Sequence, residues 1–381
     1  MTSKLLLTIL LLVNVSFIFG QNTSKTFLFV GTYTGGIPDS GIYVYEFNSH
    51  SGKLKKTFAG ENLTNPSFLS ISPNGQFLYA CTDSKLPKHG NVTAFKIDTI
   101  AGKISYINKQ SCGGENPVYL TVHKNNKFIL NGNYNAGSVS AFTTNKDGSL
   151  NPYSQIIHFK DSSVNKNRQE KSHIHAAVFS PNNDYVFSTD LGADKIRVFS
   201  FDTLKTAPLL SVDSLLVATI PGCGPRHFTF HPNGKFSYCI EELSGTISVY
   251  SYKQGKLESL QRLFSYSKIS ETYSGADIHL SPDGLFLYAS NRDNNENTIS
   301  IFSVDQVNGK LKLVGHQSTF GKHPRNFVID PTGNFLLVAN VSTNNIVVFA
   351  RNLKTGLLTK TEHEINIQRP SCLKMVSYKS N

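Results

Sequence analysis

The sequence predicts an all-β protein, a seven-bladed β-propeller whose ring is closed by the C-terminal strand joining the N-terminal blade. Three observations predict it. A strand, tight turn and strand recur about every 50 residues, no helical period interrupts them, and a seventh unit is divided between the two ends of the chain.

The recurring unit reads LSISPNGQFLYA, LTVHKNNKFILN, AVFSPNNDYVFS, FTFHPNGKFSYC, IHLSPDGLFLYA and FVIDPTGNFLLV. Its turn is marked by Pro73, Lys124, Pro181, Pro232, Pro282 and Pro331. Each unit continues with an alternating strand ending in an aromatic residue, such as NVTAFKID or TISVYSYK, and a fourth strand usually follows a turn such as AGKI, QGKL or NGKL. Four short strands per unit is the pattern of a propeller blade. The seventh blade takes its second, third and fourth strands from residues 27–58 (FLFVGTYT, GIYVYEFN, SGKLKKT) and its first from RPSCLKMV at 369–376. Sharing a blade between the termini leaves no open sheet edge at the ring's seam.

The first twenty residues carry one lysine and an apolar run from Leu5 to Phe19, too short to span a bilayer and interrupted by Thr8, Asn14 and Ser16. They read as a signal peptide, residues 1–20, leaving an exported mature chain of 21–381 with no membrane span, in the periplasm or outside the cell. Five cysteines, an odd number without a CxxC pair, build neither a disulfide framework nor a zinc site. A net charge of +11 is spread along the chain in turns rather than gathered into a stripe, which argues for a solvated basic surface and against nucleic-acid binding.

Counting by fixed offset from the turn marker converts the sequence into rings around the channel. Six residues before the marker stand Ser67, Val118, His175, Arg226, Ala276, Arg325 and, from the C-terminus, Ser371. Ten residues after it stand Asp83, Tyr134, Leu191, Glu242, Arg292, Val341 and, from the N-terminus, Tyr33. Both rings belong at one mouth of the channel. Charged side chains on the enclosed inner strands must find a partner or a ligand, and His175, Arg226, Glu242, Arg292 and Arg325 leave arginines over after pairing among themselves. An anionic ligand is expected. The neighbouring ring of Thr82, Asn133, Asp190, Glu241, Asn291, Asn340 and Thr32 fits strand-end capping. By strand alternation His173 and His227 should point away from the first ring, and 160–172, a polar excursion at the same mouth, reads as a lid or a solvated loop.

Over nearly the whole mature chain the sequence resembles the lactonase family of seven-bladed propellers, which includes bacterial 6-phosphogluconolactonase and fungal carboxy-cis,cis-muconate cyclase. The segments that carry the resemblance are HIHAAVFSPNNDYVFSTDLGADKIRVF, GCGPRHFTFHPNGKFSYCIEEL, ADIHLSPDGLFLYASNR and HPRNFVIDPTGNFLLVAN. The resemblance implies catalytic or substrate-binding roles for His175, Arg226, Glu242 and Arg292, with Arg325 also part of the pattern. Glu241 stands where the family motif commonly has asparagine.

What the resemblance implies is hydrolysis of a sugar-acid lactone. The channel rings hold too few carboxylates at matching depth for a calcium cage, so neither metal nor cofactor is expected, and the chain is expected to act as a monomer on a small anionic lactone. In that reaction His175 is the expected general base, because its ordinary pKa lies nearest neutrality. Glu242 would orient it or carry the proton, while Arg226, Arg292 and Arg325 bind the substrate's anionic group and the oxyanion. The same arginines would serve a cycloisomerase of an unsaturated dicarboxylate, or an exported propeller that binds an acidic ligand or a protein without catalysis.

Overall fold

The computed structural model describes residues 24–60, 62–88 and 90–379, so the expected leader at 1–20 lies outside the described residues. Seven antiparallel sheets stand in a ring, each laid out from its inner strand to its outer one. The inner strands are Phe68–Ile71, Pro117–Val122, Ile174–Phe179, Pro225–Phe230, Gly275–Leu280, Pro324–Ile329 and Pro370–Lys379. The last of these pairs with Ser24–Thr32 in the register Phe27 to Val376 and Val30 to Leu373, which closes the ring as the split seventh unit requires.

The turn between the first and second strands of the continuous blades repeats one solution. In SPNG the Ser72 hydroxyl accepts from the Phe77 amide (2.9 Å) and the Gly75 amide bonds back to the Ser72 carbonyl (2.8 Å). Ser281 and Asp330 do the same for Phe286 (3.0 Å) and Phe335 (2.7 Å). His231 fills this slot with its ring, accepting from the Asn233 amide at Nδ1 (3.1 Å), so it serves the turn.

Blades lock together through the third-to-fourth-strand turn. Gly102, Gly148, Gly255, Gly309, Gly356 and Gly52 each lie against an aromatic ring of the preceding blade, respectively Phe27, Phe77, Tyr185, Phe236, Phe286 and Phe335. A Cβ at any of them would meet that ring. Gly309 also needs its φ of +73°, open at little cost only to glycine. Tyr238 completes its joint by donating its hydroxyl to the Gly309 carbonyl (2.9 Å). The blade that begins at Ile174–Phe179 lacks this glycine. Its outer strand is broken into Leu209–Ser211 and Val217–Ala218 around a short 3-10 turn, and the joint is filled by Phe128 packed edge-on to Phe201 at 5.3 Å.

At the channel mouth six inner strands carry a register irregularity at the same place. Pro225 pairs with Glu241 and His227 with Ile240, leaving Arg226 as the extra residue of a β-bulge. His175, Val118 and Arg325 are the extra residues of their strands in the same way. A bulge re-aims side chains and breaks the strict two-residue alternation. Thus the ring counted from the turn proline is a ring of bulges. All five cysteines are buried and free, and no helix among the described residues is long and apolar enough to cross a membrane.

Candidate active site

The mouth encloses a cavity of about 280 Å³, at the small end of the range for ligand sites. His175, Arg226, Glu242, Arg292 and Arg325 all line it, joined by Tyr33, Val118 and Tyr134 of the two rings. Further lining comes from Lys85, Asn116, Arg168 and Ser274, which lie outside the repeated strands and were not expected.

Glu242, 2% exposed, is the hub. Its Oε2 accepts from Arg226 Nη1 (2.5 Å) and Arg292 Nη2 (2.9 Å), and its Oε1 from Arg168 Nη2 (2.6 Å). Burial would raise the Glu242 pKa, but the three guanidinium groups outweigh it and hold the carboxyl well below its usual range. Arg168 arrives from the 160–172 excursion, which is pinned by Gln169 Nε2 on the Leu191 carbonyl (2.9 Å), by Ser163 Oγ on Asp194 (2.5 Å) and by Arg197 on Asp161. The excursion is therefore a built wall of the site rather than a solvated loop. A basic residue within an insertion at the mouth was the only signal of it in the sequence.

Arg226, 2% exposed, donates from Nε to the Ala276 carbonyl (2.8 Å) and from Nη1 to His175 Nε2 as well as to Glu242. Burial, with Arg292 nearby, lowers its pKa to about 9, so it stays charged at neutral pH. His175 is buried, and both that burial and the Arg226 charge press its pKa well below the ordinary value. The imidazole is thus neutral. Glu242 does not hydrogen-bond His175; the two meet through Arg226 Nη1. Arg292 is steadied by His323, whose Nε2 accepts from its Nη1 (3.0 Å).

Across the cavity Lys85 Nζ lies 3.9 Å from the Tyr33 ring centre, with Arg325 on the same ring at 5.6 Å. Burial would raise the Tyr33 pKa, yet Arg325, Lys85 and the other arginines bring it below the ordinary phenol value. Among the described residues Arg325 and the Lys85 ammonium have no carboxylate partner. The Lys85 loop is set by its own amide on Asn116 Oδ1 (3.1 Å) and by left-handed residues Asp83 and Lys85. Asp83 itself turns outward to Asn91 Nδ2 (2.6 Å), so Lys85 enters the mouth where the ring count had placed Asp83.

The adjacent polar ring caps strand ends. Glu241 accepts from Ser248 (2.7 Å) and Arg262 (2.7 Å), Asp190 accepts from the His173 amide (2.9 Å) and Arg197, and Asn291 donates to the Ser265 carbonyl (2.8 Å). His173 stacks on Tyr134 at 4.3 Å. His227 departs from the alternation argument. The bulge at Arg226 turns it into the channel as well, one layer deeper, where it meets His175 at 5.1 Å between ring centres and bonds Asp277.

Five cationic side chains and one carboxylate line this cavity, leaving four positive charges in excess around a neutral imidazole. That arrangement suits an anion bound at one end and a developing oxyanion held beside a proton acceptor.

Sequence comparison agrees in kind. The family described as "Lactonase, 7-bladed beta-propeller" matches residues 27–375. A 6-phosphogluconolactonase of Formosa agariphila is 45% identical, covering 92% of this chain and 99% of its own length, and that of Bacillus subtilis is 35% identical over 91% and 97%. Among solved structures, the periplasmic gluconolactonase of Pseudomonas aeruginosa superposes with a TM-score of 0.87 at 32% identity, covering 93% of this chain and 99% of its own. The chain belongs to the lactonase family of seven-bladed β-propellers.

Proposed function

We propose that this protein hydrolyses the ring ester of a sugar-acid lactone, and that its preferred substrate carries an anionic group such as a 6-phosphate. The observation that carries the reading is the surplus of four cations around a neutral, buried histidine in a cavity sized for one sugar ring. Two relatives that match nearly end to end are named 6-phosphogluconolactonases, and the similar Pseudomonas structure is named a gluconolactonase.

In the reaction Arg325 and Lys85 take the substrate's anion, because no protein carboxylate competes for them. An anionic substrate also draws the Arg226 guanidinium from His175 Nε2 toward the lactone carbonyl, where the oxyanion forms. The freed lone pair on Nε2 then accepts the proton of the attacking water, and returns it to the ring oxygen as the C–O bond breaks. Glu242 stays ionised and acts by holding Arg226, Arg292 and Arg168 in place.

We further propose that the leader 1–20 directs export and that the mature chain 21–381 works as a monomer. Supporting this are the short apolar leader itself, the periplasmic naming of the Pseudomonas protein and a site built within one ring. A panel of sugar lactones with and without a 6-phosphate tests the substrate. Phosphate dependence of kcat/KM is expected, and a rate no higher than background with every lactone of the panel would reject hydrolysis altogether.

A further inference from the structure

We propose that His227 and Asp277, one layer below the cavity, are positioning residues: His227 accepts the Nδ1 hydrogen of His175 and receives that proton during turnover, with Asp277 holding it in place. The inference deepens the hydrolytic reading above and rests on His175 as the proton acceptor.

The argument begins with donors and acceptors. A guanidinium only donates, so the Arg226 bond to His175 Nε2 makes that nitrogen the acceptor and places the imidazole hydrogen on Nδ1. An ionised carboxylate only accepts, so the 2.6 Å bond between His227 Nδ1 and Asp277 Oδ1 places the hydrogen of His227 on Nδ1 and leaves Nε2 as a bare lone pair. Burial would raise the Asp277 pKa, but the neighbouring histidines His279 and His227 hold it well below its usual range, which keeps it in the accepting form.

His175 Nδ1 and His227 Nε2 are both buried, and neither has a hydrogen-bond partner among the described residues. One is a donor and the other an acceptor. They belong to rings in edge contact, 5.1 Å apart at 71°. Two orphaned buried groups would be costly separately. Joined directly or through one water, Nδ1–H to Nε2, each satisfies the other. The surrounding charges are Arg226, Arg325 and Asp277, with His279 hydrogen-bonded to Asp277 below.

The consequence for turnover is a balanced relay. Water gives its proton to His175 Nε2, and the imidazole passes its Nδ1 proton to His227 Nε2. The positive charge moves away from Arg226 to an imidazolium paired with Asp277. As the ring oxygen leaves, both protons step back and the leaving alkoxide becomes a hydroxyl. Asp277 is itself braced by His279 Nε2 on Oδ2 (2.9 Å), by the Ile278 amide (3.0 Å) and by Asn326, so it is held to this one orientation. His279 is 34% exposed and carries the chain of bonded groups toward solvent.

Two substitutions separate the roles. His227→Asn keeps a short amide near Asp277 but withdraws from His175, whereas His227→Gln places a polar atom near the former Nε2. His227→Asn and Asp277→Asn are expected to lower kcat about 10- to 100-fold with KM little changed, as removal of an orienting partner does elsewhere; His227→Gln should recover most of that loss. Independently of activity, ¹⁵N NMR of the histidine-labelled full chain should show His175 as the Nδ1–H tautomer with that hydrogen bonded, and a shifted Nδ1 signal in His227→Asn, where its acceptor is lost. Wild-type protein with His175 as the Nε2–H tautomer overturns the proposal even if the variants fail to fold, and so does a folded His227→Asn with unchanged kcat. Absence of any lactone turnover by wild type would instead reject the hydrolytic reading and leave the tautomer readout standing.

Discussion

Arg325 and Glu242 show how differently two charged residues of one site are employed. Arg325 has no carboxylate partner, so removing it costs the ligand more than the fold; Arg325→Ala is expected to raise KM for a phosphorylated lactone about 10-fold or more, with the melting temperature nearly unchanged, measured by steady-state kinetics and thermal melts. Glu242 neutralises three guanidinium groups, and Glu242→Gln leaves them facing one another in a buried space. A stability loss of about 3 kcal/mol by urea titration is expected, besides lost activity. For His175→Ala the expected fall in kcat is about 100- to 10,000-fold. Because burial and Arg226 hold the His175 pKa well below its ordinary value, the imidazole remains a proton acceptor through pH 6.5. The kcat/KM profile should therefore be flat from pH 8 to below 6.5 and fall only at more acid pH; a fall centred at 6.5 would contradict it. At this scale the sequence was legible wherever a residue held a fixed offset from the repeating turn, as His175, Arg226, Glu242, Arg292 and Arg325 do. It was illegible for Lys85 and Arg168, which reach the cavity from irregular loops, and for His227, whose direction depends on a bulge that no strand pattern announces.

Among elements, the glycine turns carry the joints between blades. Gly309→Ala should lower stability by about 2 kcal/mol, because its Cβ meets the Phe236 ring and its φ is left-handed. Gly315 is the control. It lies in a strand with its nearest neighbour, Leu357, 4.0 Å from a built Cβ, so Gly315→Ala should change the urea midpoint little. Blades were readable from sequence because turn chemistry and alternation repeat together. The outer strand of the blade that begins at Ile174–Phe179 was not, since without the glycine turn its residues pair only in two short runs around Asp213–Leu215. The 160–172 excursion escaped for a related reason: its order comes from Gln169, Ser163 and Asp161 finding partners far away in the chain.

For the whole molecule, acid should unfold the ring early. His175 and His227 are held neutral in the fold mainly by burial, aided by the arginines, while in the unfolded chain they take up protons near pH 6.5. Below that pH the unfolded state binds more protons, so stability is complete above 6.5 and is lost as pH falls toward the depressed folded pKa values. His227, whose folded pKa falls to about 4, should withdraw roughly 2 kcal/mol by pH 5, and His175 acts in the same direction, read as a falling urea midpoint between pH 7 and 5.

Closure of the ring through Pro370–Lys379 also bears on how the protein is made. Ser24–Thr32 is among the earliest strands to be synthesised, yet its inner neighbour is the last, so contacts such as Phe27 with Val376 must wait for almost the whole chain. A product ended early by a stop codon or a protease therefore holds an uncapped strand and an open ring. Tyr33 and Arg325 face each other across the join that the final strand makes. Completeness of translation and competence of the site are thereby tied together: the strand Pro370–Lys379 acts as a seal, and a chain without it is one that quality-control proteases can recognise by its exposed edge.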